Sequence, residues 1–131
     1  VAKSPGKAAP SVLVVVTSVG TEEQALEIAH HLVESHLAAC VNILPGVKSI
    51  FRWKGSVQHE GEFLLVAKTV KRNFERVRDA MKELNAYELP EILAFPASDA
   101  DKAFAAWICA NSTGVATPES DDDESGEATI D

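Results

Sequence analysis

Two apolar runs face each other across Lys54-Gly55-Ser56, and between them they limit the folds open to this chain. The first reads Cys40-Val41-Asn42-Ile43-Leu44, breaks at Pro45-Gly46, and resumes as Val47-Lys48-Ser49-Ile50-Phe51-Arg52-Trp53. The second returns through Phe63-Leu64-Leu65-Val66-Ala67-Lys68-Thr69. Together they spell one hairpin. Because proline cannot donate to a ladder, Pro45-Gly46 marks a kink or bulge within it. Strands of roughly five or six residues are usual, so this hairpin is far longer than a small domain needs. Its tip carries Ile50, Phe51 and Trp53, more apolar surface than two short helices can cover. Long hydrophobic edges aggregate unless they are paired. The hairpin therefore predicts strand pairing between copies, in an obligate oligomer.

The flanking segments supply the rest of a sheet. Val12–Val16 is a continuous run of β-branched residues and leucine, the pattern of a strand buried on both faces. Thr17-Ser18-Val19-Gly20-Thr21 reads as a turn, with Thr21 as the N-cap of a helix and Glu22, Glu23 and Gln24 in its first turn. Ala25, Ile28, Ala29, Leu32, Val33 and His36 then recur at helical spacing. After the hairpin, Asn73 is placed to cap a second helix whose apolar face is Phe74, Val77, Met81 and Leu84. A short strand follows at Ile92–Phe95. Ser98-x-x-Asp101 reads as a capping box for a last helix carrying Ala103, Phe104, Trp107 and Ile108.

The order is β-α-β-β-α-β with a terminal helix. With right-handed crossovers this gives a ferredoxin-like α+β sandwich, two helices on one face of a four-stranded antiparallel sheet. Residues 11–112 form that one domain. Residues 1–10 are expected to be a flexible N-terminal segment and 113–131 an acidic disordered tail.

The net charge of −8 overstates the acidity of the domain. Glu119, Asp121, Asp122, Asp123, Glu124, Glu127 and Asp131 all lie in the tail, and the remainder is close to neutral. The domain has no basic field suited to nucleic acid, and no apolar run approaches the roughly 20 residues that cross a bilayer. Cys40 and Cys109 stand far apart, without the spacing of a zinc site or a disulfide framework, which predicts two buried thiols in a reducing compartment. The expected location is cytoplasmic, with an organelle left open because the sequence begins at Val1.

Signatures of catalysis are absent: there is no GxGxxG, P-loop, GxSxG or HExxH. His30, His31, His36 and His59 lack the spacing that sets two imidazoles on one helical face. The chain reads as a binding protein, not an enzyme. Phe51 and Trp53 alternate onto one strand face, as an interface core or as an aromatic platform for a ligand. Lys68 ends an apolar run, either as a snorkelling strand-end lysine or as the partner of an anion. Tyr87 and Glu91 flank Pro90 in Asn85-Ala86-Tyr87-Glu88-Leu89-Pro90-Glu91. They either line a cleft with Lys68 or hold a loop down.

Five stretches in order, Ala38-Ala39-Cys40-Val41-Asn42, Pro45-Gly46, Ser49 to Gly55, Lys68-Thr69 and Tyr87 to Ile92, resemble the CutA family of divalent-cation tolerance proteins. The resemblance runs from about Val12 to Ser112. It implies a ferredoxin-like subunit in a tight homotrimer, with long hairpins reaching across to neighbours, in an architecture similar to that of the PII signalling proteins. It further implies clefts between subunits, near Lys68, Tyr87, Glu91 and Trp53, that bind a small molecule or a divalent cation, and a role in tolerance to copper and other divalent metals. It implies no catalysed reaction.

The copper ligands proposed for the family fall here at Thr17, at Leu84 or Asn85, and at Glu91, and only the glutamate matches. Asn85-Ala86 also stands where the family commonly has His-Pro. A hydroxyl and an amide do not replace thiolate and imidazole for copper, so weak binding of copper at Glu91 is the most these residues predict. The other reading is a trimeric scaffold or a PII-like signalling protein with no metal role.

Overall fold

The central strand sends alternate side chains into two different environments, and the layers of the domain follow from that. The computed structural model describes residues 11–115. In it, β1 (Val12–Val19), α1 (Glu22–Glu34), β2 (Cys40–Trp53), β3 (Ser56–Val70), α2 (Phe74–Leu84), β4 (Ile92–Pro96) and α3 (Lys102–Ala110) follow in order. The four strands form one antiparallel sheet in the order β2-β3-β1-β4, the ferredoxin-like arrangement expected from the sequence. The N-terminal segment 1–10 and the acidic tail beyond residue 115 lie outside the described residues.

On one face, Leu13, Val15 and Val19 of β1 and Leu65 and Ala67 of β3 pack beneath two helices. Ala25, Ile28 and Leu32 come from α1, and Val77, Ala80 and Met81 from α2. Full burial of each large apolar side chain contributes about 1.5–3 kcal/mol, which makes this layer the main source of stability. Thr21 caps α1 as expected, its Oγ1 accepting the N–H of Gln24 at 3.2 Å. The helix stops at Glu34, and His36 lies beyond it with φ of 61°, not on the apolar face where its spacing put it.

The opposite face is also apolar and is left largely uncovered by the described residues of the single chain. Val14 stands opposite Phe95, Val16 opposite both Leu93 and Val66, and Leu44 opposite Leu64. Leu93 and Phe95 remain 53% and 52% exposed. α3 closes only one end of this face, with Ala105 and Ile108 against Val12, Ala39 and Val70. The sequence predicts β1 buried on both faces, whereas Val14 and Val16 are half-buried.

The hairpin carries a one-residue bulge. Leu44 pairs with Leu64 and the next pair is Val47 with Glu62, so β2 advances three residues while β3 advances two. Gly46 takes φ of +74° at this point, where glycine escapes the Cβ penalty. The extra residue inverts the side-chain parity of β2. Val41 and Ile43 join the helix-side core, but Ser49 and Phe51 lie opposite Glu60 and Gln58, residues in step with Leu64 and Val66 of the other face. Beyond Phe63, β3 has only β2 as a neighbour among the described residues, because β1 ends at Val19. The hairpin therefore projects as a two-stranded arm. Lys54 and Gly55, both with positive φ, close it as a two-residue turn whose twist suits the strands.

Five local expectations are corrected. β1 continues through Thr17 and Ser18 to Val19, since β3 and β4 hold these residues in the ladder. Asn73 makes no side-chain cap. It ends a 3-10 turn (Lys71–Asn73) and is buried, its Nδ2 donating to the carbonyls of Ser112 at 2.8 Å and Leu37 at 3.2 Å. Asp101 itself caps α3, its Oδ2 accepting from the Phe104 N–H at 3.0 Å, so Ser98 is not the cap. Phe104 and Trp107 stack on each other at 5.6 Å and are nearly half exposed, because the small side of α3 at Ala105 faces the sheet. The two thiols are free and half-buried, not fully buried.

Candidate functional site

The segment after α2 is fixed by its first residue. Asn85 leaves the helix in extended conformation and is 9% exposed. Its Nδ2 donates to the Ser18 carbonyl at 3.0 Å, and its Oδ1 accepts from the Tyr87 N–H at 2.9 Å. Ala86 N–H donates to Gln24 Oε1 at 3.3 Å. These bonds tie the segment to the end of β1 and the start of α1. Gly20 makes the room: a Cβ there would lie 3.2 Å from the Tyr87 hydroxyl. At the other end of the segment, Ser18 Oγ donates to Glu91 Oε1 at 3.4 Å.

The arm supplies the facing wall. Because of the bulge, Ser49, Phe51 and Trp53 share a face with Gln58, Glu60 and Glu62. Between this wall and residues 87–91 lies an open cleft of about 870 Å³. Glu62 sits at its inner end, only 8% exposed, and accepts a 2.6 Å bond from Ser49 Oγ. Burial first, then the neighbouring Glu62 side chain and the charges of Glu62 and Glu60, push the Tyr87 phenol well above the ordinary tyrosine range. Tyr87 is thus a protonated donor at neutral pH. At the arm's tip, Lys54 Nζ lies 3.9 Å from Glu88 Oε1 and 5.6 Å from the centroid of the Trp53 ring.

Of the residues singled out in the sequence, Trp53, Tyr87 and Glu91 line this one cleft. Lys68 does not line it within the single chain. It stands opposite Val14 and Cys40 in the sheet, with its ammonium on Asn42 Oδ1. Thr17 is wholly buried, and its Oγ1 has no hydrogen-bond partner among the described residues. Its neighbour Ser18 is the residue that meets Glu91. Asn85 commits its amide to the backbone on both sides. Among the described residues no group of three His, Cys, Asp or Glu side chains is placed to hold a metal ion. The residues present do not fit a tight copper site.

Sequence reasoning missed Glu62, Ser49 and Ser18. Glu62 had a signal, because a carboxylate in the same alternation as Leu64 and Val66 is out of place on an apolar strand face. Ser49 pointed nowhere until the bulge set its parity.

Residues 13–111 match a family model described as CutA1 divalent ion tolerance protein. The chain is 43% identical over 98 residues to the divalent-cation tolerance protein CutA of Thermus thermophilus, covering 75% of this chain and 95% of that one. It is 36% identical over 102 residues to the chloroplastic protein CutA of Arabidopsis thaliana, and spans 78% of this chain but 56% of that longer one. Among solved structures, the Cut A1 protein of Thermus thermophilus superposes with a TM-score of 0.75 at 42% identity, over 76% of this chain and 97% of that one. The periplasmic divalent cation tolerance protein CutA of Archaeoglobus fulgidus gives 0.75 at 37% identity, over 77% and 98%.

Proposed function

The chain belongs to the CutA1 divalent ion tolerance family, and from that premise we propose that it works as a homotrimer whose clefts bind a small ligand without catalysing a reaction. The observation that carries this reading is the convergence of Trp53, Tyr87 and Glu91, with the buried Glu62, in one cleft lined by a projecting arm. Two features support assembly. The uncovered sheet face around Val16, Leu93 and Phe95 is apolar, and an exposed apolar patch of this kind marks an interaction surface. Among the described residues, the arm also leaves the β3 edge from Ser56 to Glu62 without a strand partner on its outer side.

In this reading the trimer covers the face, and Lys68 of one copy reaches the cleft of a neighbour. Copper finds one matched position, Glu91, and its binding is weak. No helix among the described residues is long and apolar enough to cross a membrane. The free thiols suit a reducing compartment such as the cytoplasm.

A thermal-shift screen of small molecules tests the cleft. Stabilisation by a ligand is expected, and Tyr87→Ala and Lys68→Ala should each abolish it. If both variants respond like the unmodified chain, the cleft assignment fails.

A further inference from the structure

Lys68 is out of place on the face where it stands. It follows Leu64 and Val66 in the alternation of β3, with Val14 opposite it on β1 and Phe95 beyond on β4. Its ammonium has a neutral acceptor, Asn42 Oδ1, and no carboxylate lies within ion-pair distance of it among the described residues. In the trimer read above this face is covered, which takes the ammonium out of water. A buried charge is costly unless it is paired as well as hydrogen-bonded. Asn42 holds the ammonium at β2, an edge strand of the sheet, where another copy has access.

The same face carries a carboxylate in the complementary condition. Glu62 lies in step with Leu64, Val66 and Lys68 along β3. It is 8% exposed, whereas Glu60, Glu88 and Glu91 stand open to water. Ser49 donates to it at 2.6 Å, but a hydroxyl fills one of a carboxylate's roughly four acceptor positions and brings no charge. The two residues cannot meet within one chain, because the strand between them separates their Cα atoms by about 20 Å. Across a subunit boundary they can. In a head-to-tail ring each copy presents one patch to one neighbour and a different patch to the other. Such a ring pairs every Lys68 with a Glu62 and leaves neither over.

We propose that Lys68 of one copy forms an ion pair with Glu62 of the next, and that this contact, repeated around the ring, sets the register of the trimer. It rests on the trimer proposed above and names the residues that lock it. The apolar face supplies the area of the interface, and the pair supplies its orientation, since a copy docked out of register buries both charges alone. The cleft is then a composite site, its inner end at Glu62 completed by a neighbour.

Light scattering of the full chain over a dilution series, in urea that half-dissociates the unmodified assembly, tests the proposal, with circular dichroism as the check that each variant is folded. Glu62→Gln and Lys68→Met each remove one charge and nearly keep the side chain's size. Each should raise the subunit concentration at half-assembly by about tenfold or more. The double variant should assemble no worse than either single one, because no charge is then buried alone. Lys68→Met is decisive in sign and leaves the Ser49 bond untouched: at an unpaired position on this apolar face it would strengthen assembly. Single variants that assemble as well as the unmodified chain or better, or losses that add in the double variant, would overturn the pair and leave the trimer standing. A monomeric unmodified chain without urea would overturn both.

Discussion

Ser49 donates to Glu62 at 2.6 Å across the hairpin, and the bond exists because one extra residue at the Pro45-Gly46 bulge turns Ser49 toward that face. The contact ties the geometry of the arm to the charge of the cleft. A hydrogen bond to a charged group contributes about 1.5–3 kcal/mol. Ser49→Ala should lower unfolding stability by an amount in that range, read from urea midpoints at constant slope. A change below a few tenths of a kcal/mol would show that the bond adds little.

Tyr87 is the only tyrosine in the chain, so phenolate absorbance reports it alone. Its pKa is raised by burial and by the neighbouring Glu62 and Glu60. The absorbance should therefore appear well above the ordinary value of about 10, and Glu62→Gln should bring it down. The sign for stability follows from the raised folded value. The contribution is complete below the unfolded pKa and is lost as pH rises from there toward the folded one. A phenol titrating near its ordinary value in the native protein would contradict the packing described.

Gly20 leaves room for the Tyr87 hydroxyl. Gly20→Val should displace that ring, costing about 1–3 kcal/mol as overpacking does and weakening any cleft ligand. If ligand affinity survives with stability lowered, the ring is not part of the binding wall.

Asn85 bridges Ser18 and Tyr87 through both ends of its amide. Asn85→Ala removes the side-chain partner of the Ser18 carbonyl and of the part-buried Tyr87 N–H and should cost about 1–3 kcal/mol, with a matching fall in melting temperature. An unchanged melting temperature would mean that the segment is held by other contacts.

The order of strands and helices was legible because the periodicities of Val12–Val16, Ile28–Leu32 and Val77–Met81 are clean. The end of β1 was not, since Thr17 and Ser18 look turn-like alone and are held in the strand by pairing with Leu65 and Leu64. α3 misled in the same way. Its large residues Phe104 and Trp107 suggest an inward face, yet close packing on Val12 and Val70 favours the small Ala105. Tyr87, Pro90 and Glu91 declared the cleft as a local cluster. Glu62 and Ser49 meet across a bulge whose parity shift no local pattern reveals.

The central claim is that the uncovered sheet face and the projecting arm belong to a trimer. Light scattering after gel filtration at micromolar concentration tests it most directly. The account predicts a mass three times that of the 14.0 kDa chain, reduced to smaller species by Phe95→Asp on the uncovered face. A monomeric mass for the unmodified chain would contradict it.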